Sequence, residues 1–147
     1  MGALDLPVLA ERVATVERHL ARVAARLPQQ PAELVAASDT SDAVILHLWQ
    51  AVQIVIDLGL SACLFFNLGT PESYGDAFRR LAEAGLLERD LTQRLTQAAG
   101  FRNLVAHAYE GLDMERVHRA AREGPADLRA FLARLRDLLK QQQRGAT

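Results

Sequence analysis

Apolar residues recur at three- and four-residue steps along most of this chain, and that spacing predicts helices throughout. From Pro7 to Leu27 the positions Leu9, Val13, Val16, Leu20, Val23 and Leu27 form one stripe, with Glu11, Arg12, Arg18, Arg22 and Arg26 between them, and Pro28 stops the helix. A linker containing Pro28, Gln29, Gln30 and Pro31 follows, then a stretch through Ala37 with room for a turn or two of helix. The segment SDTSD offers N-caps for an apolar helix from about Ser41 to Asn67, whose length favours helix even though its Val and Ile content would also suit strands. Gly69 is expected to end it, and Thr70 with Pro71 to cap and begin a third helix that Gly85 closes. Asp90 is expected to cap a fourth helix reaching about Gly111. Asp113 then opens a short helix, MERVHRAARE, which Gly124 and Pro125 break. A last amphipathic helix from about Ala126 to Gln142 turns Leu128, Phe131, Leu132, Leu135, Leu138 and Leu139 inward, and the tail from residue 143 frays. Without a repeat or an alternating strand pattern, the expectation is all-α: an antiparallel bundle of four to five helices in one domain over residues 1–147.

Composition narrows the function classes. The 17 Lys and Arg against 18 Asp and Glu leave a formal charge of -1, so any polyanion must be gripped by a local patch. The single cysteine, Cys63, lies in the apolar run LSACLFF; within one chain it can form neither a disulfide nor a cysteine-based metal site. The central apolar run is interrupted by His47, Gln50, Gln53, Asp57 and Asn67, which argues for a core helix rather than a membrane span. The segment MGALDLPVLAERV lacks the pattern of a signal peptide. A soluble, cytoplasmic protein is the expectation.

On the fourth helix, at ~100° per residue, Phe101, Leu104, Val105, Ala108 and Leu112 share the sector that faces the core. Arg102, Asn103, Ala106, His107 and Tyr109 take the opposite side. Asn103 and His107 are one turn apart, and Arg102 and Tyr109 two turns apart on nearly one line. Ala99, Gly100 and Ala106 keep this side low enough for a second helix or a phosphate to approach closely. Gly100 inside a helix costs roughly 0.5–1 kcal/mol relative to alanine, which hints at a compensating reason. Arginine, asparagine, histidine and tyrosine without a carboxylate cluster suit phosphate chemistry on a substrate that carries its own nucleophile, as RNA does in its 2′-hydroxyl. His107 would serve as general base or acid, Arg102 would hold the phosphate and stabilise its transition-state charge, and Asn103 would orient the histidine or the phosphate. Spacing alone fits a solvated helix face better, since exposed charge is the default.

FRNLVAHAY, Phe101 to Tyr109, resembles the HEPN signature, an arginine followed by a polar residue and then a histidine, with the extra tyrosine of the HepT variant. The resemblance extends through AVQIVIDLGL, TPESYGDAFRRLAEAGLL and YEGLD, roughly residues 42–113. It implies a helical homodimer in which two motifs meet to form one composite site that cleaves RNA without metal or cofactor. Arg102 and His107 would be its catalytic pair, with Asn103 beside them. It further implies a type VII toxin–antitoxin pairing with a MntA-like nucleotidyltransferase that transfers AMP to Tyr109, placing a bulky anion beside Arg102. Asp57, in IVIDLGL, matches an aspartate common in the family, with a supporting role across the dimer or a purely structural one. The alternatives are a non-catalytic subunit that presents substrate to a nucleotidyltransferase and a purely structural helical dimer.

Other polar residues are read as structural. His47 and Trp49 are expected to pack, His19 and His118 to be solvated, and Tyr74 to pair with Phe78. Arg129, Arg134 and Arg136 are expected on a solvated face.

Overall fold

The computed structural model describes residues 4–145, which form five α-helices and two 3₁₀ turns, with no strand among the described residues. The first three residues of the amino-terminal segment and the last two of the tail fall outside them. Helix α1 (Leu6–Arg26) begins where the Asp5 carboxylate accepts the Val8 N–H at 2.9 Å, with Pro7 in its first turn. The linker holds one 3₁₀ turn, Pro31–Glu33. Helix α2 (Asp39–Phe65) is capped by Ser38, whose Oγ accepts the Ser41 N–H at 3.1 Å. Its end is set by Asn67 as well as Gly69. Asn67 takes φ 59°, and the turn lets the Leu68 N–H reach the Cys63 carbonyl at 2.8 Å.

Helix α3 (Tyr74–Glu83) starts later than Thr70 and Pro71 suggested. Ser73 is the better cap: its Oγ accepts the Asp76 N–H at 3.1 Å while the buried Asp76 carboxylate takes the Glu72 N–H at 2.9 Å. Arg80, whose Nε donates to Asp76 at 2.8 Å, then the Glu72 N–H and Arg79, hold that carboxyl well below the usual range. Helix α4 (Arg89–Ala108) has Glu88 at its cap position, so Asp90 lies inside the first turn rather than before it. It also stops short of Gly111. Ala108 leaves helical geometry at φ -141°, ψ 39°, and a 3₁₀ turn, Tyr109–Gly111, follows, because Leu112 must be buried while the chain reverses.

Helix α5 (Met114–Gly145) is continuous, where Gly124 and Pro125 predicted a break and residues beyond 142 predicted fraying. Pro125 removes one backbone donor, but the buried stripe Val117, Ala121, Leu128, Phe131, Leu132, Leu135 keeps its helical phase across it. His118 is on that face, 2 % exposed rather than solvated, and its Nε2 lies 2.7 Å from the Pro28 carbonyl. A carbonyl only accepts, so Nε2 carries the hydrogen.

Neighbouring helices run antiparallel. His19 and His47 join α1 to α2, Gln53 and Asp42 of α2 meet Arg102 and Tyr109, Arg94 of α4 pairs with Asp127 of α5 at 2.8 Å, and Glu17 of α1 pairs with Arg129 at 2.9 Å. One apolar cluster joins all five helices. Phe78 and Phe131 form its aromatic centre, edge to face at 5.5 Å, and Tyr74 packs against the same cluster. A Cβ on Gly59 would stand 3.0 Å from the Phe78 ring, which is why α2 is smooth there. Cys63 is buried, its thiol donating to the Ala77 carbonyl at 3.3 Å and pushed up in pKa by burial.

Candidate functional site

Alpha2 is apolar, yet Asp42, Leu46, Trp49, Gln53 and Asp57 recur at the spacing of a single helix face. That face is only partly packed against the core: Asp42, Leu46 and Asp57 are exposed, Gln53 is half-buried, and Trp49 rests against the apolar cluster. Helix α4 lies along its edge and turns Arg102 toward it.

Arg102 is the best-held residue of the predicted set. Its Nε donates to Gln53 Oε1 at 2.6 Å, and one terminal nitrogen donates to Asn103 Oδ1 at 3.2 Å. The guanidinium carbon stands 5.2 Å from the centre of the Trp49 ring and 5.3 Å from that of Tyr74, each within cation–π range. Gln53 in turn donates its Nε2 to Asp57 Oδ1 at 3.0 Å, which fixes which end of its amide faces Arg102. No carboxylate pairs with Arg102 directly among the described residues. Its charge is thus positioned by rings and amides and left available to an anion. Asp57 acts at one remove, through Gln53 of the same chain.

Asn103 and His107 project one turn apart from α4 and are exposed. His107 makes no hydrogen bond or ion pair among the described residues. A Cβ at Gly100 would meet nothing within 4 Å, so this glycine leaves an open space beside the pair rather than relieving a contact inside the chain.

Tyr109 departs from the expected arrangement. The end of α4 at Ala108 swings it off the line of Arg102, and its hydroxyl donates to Asp42 Oδ1 at 2.5 Å. Partial burial of the ring, then the hydrogen bond to Asp42 and its charge, push the phenol up to about 12. The ring remains 42 % exposed.

Arg102, Asn103, Asp57 and, through Gln53 and Trp49, the middle of α2 are therefore drawn together, with His107 beside them on α4 and Tyr109 clasped to the start of α2. Sequence reasoning gives Trp49 and Tyr74 only a packing role and Gln53 only that of an interruption in the apolar run, and it does not single out Asp42. The signal was the polar stripe on α2, legible only as interruptions of a membrane-like run. Elsewhere, a cleft of about 570 Å³ between α4 and α5, floored by Phe101 and Leu128, holds none of these groups. No three His, Cys, Asp or Glu side chains among the described residues stand together as a metal cage. Asn103, His107 and Tyr109 are exposed, so this side of the site is an open face.

Known proteins share this architecture. A curated protein named mRNA nuclease HepT, from Shewanella oneidensis, is 25 % identical over 125 residues, covering 85 % of this chain and 93 % of that protein. A solved structure described as a tri-AMPylated Shewanella oneidensis HEPN toxin in complex with MNT antitoxin superposes with a TM-score of 0.79 at 24 % identity, covering 88 % of this chain and 97 % of that one. YutE of Bacillus subtilis, a cytosolic protein of unknown function, superposes with a TM-score of 0.78 at 18 % identity over 97 % of this chain and 95 % of its own. The family described as Ribonuclease HepT-like matches residues 16–135, so this chain, with its five-helix fold and arginine-to-histidine face on α4, belongs to that family.

Proposed function

We propose that this protein is the toxin of a HEPN/MNT toxin–antitoxin pair, an endoribonuclease that needs no metal and is neutralised when a MntA-like nucleotidyltransferase transfers AMP to Tyr109. The observation that carries the reading is Arg102: a guanidinium held by Gln53, Trp49 and Tyr74, without a neutralising carboxylate among the described residues, on the face that carries Asn103 and His107. In this reading the 2′-hydroxyl of RNA attacks the adjacent phosphorus, the bond to the 5′-oxygen breaks, and a 2′,3′-cyclic phosphate is left. His107 takes or gives the proton, and Arg102 stabilises the charge that grows on the phosphate, a type of electrostatic help worth ~10²–10³ in rate. Asn103, hydrogen-bonded to Arg102, orients the guanidinium. Asp57 keeps Gln53 in place.

Two copies would bring their motifs together across the exposed face of α2 and α4, where Leu46 is 51 % exposed. AMP on Tyr109 would set a phosphate beside this face and occupy it by charge and volume.

The test is purified wild type beside Arg102→Ala and His107→Ala on total RNA in EDTA. Wild type is expected to cut and each variant to lose at least 100-fold. Equal inertness of all three would favour the non-catalytic subunit that presents substrate to a nucleotidyltransferase.

A further inference from the structure

The clasp between Tyr109 and Asp42 lies outside the chemistry assigned to RNA cleavage. Asp42 sits in the first turn of α2, is exposed, and forms no ion pair among the described residues. Its Oδ1 is 2.5 Å from the Tyr109 hydroxyl, and the two residues are 67 positions apart in sequence, so the bond depends on how α2 and the end of α4 are packed. The local backbone serves the same contact: α4 stops at Ala108, and the 3₁₀ turn that follows carries the phenol toward α2.

We propose that Asp42 is the proton acceptor for adenylylation of Tyr109, a role that rests on the reading of Tyr109 as the site of AMP transfer. The co-reactant is a nucleoside triphosphate brought by the partner enzyme. Tyr109 Oη attacks the α-phosphorus, the Oη–P bond forms, and the bond from that phosphorus to the oxygen bridging to the β-phosphate breaks. Pyrophosphate leaves with the bonding electrons, and the phenolic proton passes along the existing hydrogen bond to Asp42 Oδ1, from which water removes it. The need for an acceptor is concrete: a phenol held neutral up to about 12 supplies almost no phenolate near pH 7. A carboxylate already in hydrogen-bond contact meets the geometric requirement for a general base. Once the phenol carries AMP it has no hydrogen left to donate, and its phosphate would face the Asp42 carboxylate. Repulsion then opens the clasp and turns the adenylyl group outward, toward the face that holds Arg102.

The experiment follows AMP incorporation by intact-protein mass spectrometry, using the full chain, its nucleotidyltransferase partner, ATP and Mg²⁺. Wild type is compared with Asp42→Asn, Asp42→Glu and Tyr109→Phe, after thermal melting has shown which variants fold. Asparagine can still accept the hydrogen bond but cannot keep the proton, so Asp42→Asn is expected to slow labelling ~10²–10⁴-fold, the usual range for a lost general base. Asp42→Glu should recover most of that loss. With asparagine in place the phenol must ionise unaided, so the ratio of Asp42→Asn to wild-type rate should climb by about tenfold per pH unit between pH 7 and 9. That ratio cancels the partner's own pH dependence and would not move if Asp42 were merely structural. Labelling of Asp42→Asn at the wild-type rate, or a ratio flat with pH, overturns the role of Asp42 while leaving Tyr109 as the acceptor. If Asp42→Asn does not fold, Asp42→Glu decides alone, since a glutamate in reach should label within about tenfold of wild type, and a larger loss counts against the proposal. A wild-type chain that takes no AMP, or a Tyr109→Phe chain that takes as much, overturns the acceptor reading itself and the role of Asp42 with it.

Discussion

Gln53 links two ends of the site: its carbonyl accepts from Arg102 at 2.6 Å and its amide nitrogen donates to Asp57 at 3.0 Å. Replacing it with leucine leaves the Arg102 Nε without an acceptor and Asp57 without a donor, at nearly unchanged volume. A hydrogen bond to a charged group contributes about 1.5–3 kcal/mol, and 1.36 kcal/mol is a factor of ten in rate. Gln53→Leu is therefore expected to lower kcat/KM for RNA cleavage ~10- to 100-fold with little change in melting temperature, as measured on a fluorescent oligoribonucleotide. A wild-type rate in that variant would mean that the aromatic rings alone fix the guanidinium.

Helix contacts carry the second set of expectations. Gly59 on α2 lets the Phe78 ring of α3 sit close, and a Cβ there would come within 3.0 Å of a ring that is itself packed on Phe131. Alanine gains about 1 kcal/mol of helix propensity but forces a buried ring to move, and overpacking costs typically ~1–3 kcal/mol. Gly59→Ala should be destabilising or neutral by urea unfolding, whereas Gly100→Ala, with open space at its Cβ, should stabilise by ~0.5–1 kcal/mol. Between α1 and α2, His19 Nδ1 and His47 Nδ1 stand 3.1 Å apart, so one must donate and the other accept, and His19 is not simply solvated. Burial first, then the neighbouring positive charges of Arg22, Arg18 and Arg26 and, on His19, its partner ring, lower both pKa values. A histidine whose folded pKa is depressed binds more protons unfolded, so its contribution is present above about pH 6.5 and lost as pH falls through the folded pKa. The melting temperature should fall between pH 7 and 5, and His47→Gln should flatten that slope. The helix boundaries show what was legible: apolar spacing located all five helices, and Ser38 and Gly85 work at their ends as expected, whereas the Asp5 cap of α1 went unread. The exceptions are competitions. Pro125 lost to an apolar stripe that holds its phase along α5, and Ser73 with Asp76 outcompeted Thr70 and Pro71 as a cap.

At the scale of the molecule, the motif on α4 was readable because its residues are close in sequence, whereas the residues that hold it come from α2 and α3. Trp49, Gln53 and Tyr74 are 53, 49 and 28 positions from Arg102, and only the packing of three helices brings them together. The proposed dimer makes the same point between chains. Leu46 is exposed on the α2 face, and Leu46→Glu is expected to yield a monomer by sedimentation that no longer cuts RNA; a dimeric, active variant would place the contact elsewhere. The chain contains a single tryptophan, Trp49, and Arg102 lies over its ring. Every photon of indole emission therefore comes from the ring against which the Arg102 guanidinium rests. Engagement of Arg102 by an anion would be read directly as a change in emission, giving the protein a built-in optical reporter of its own site.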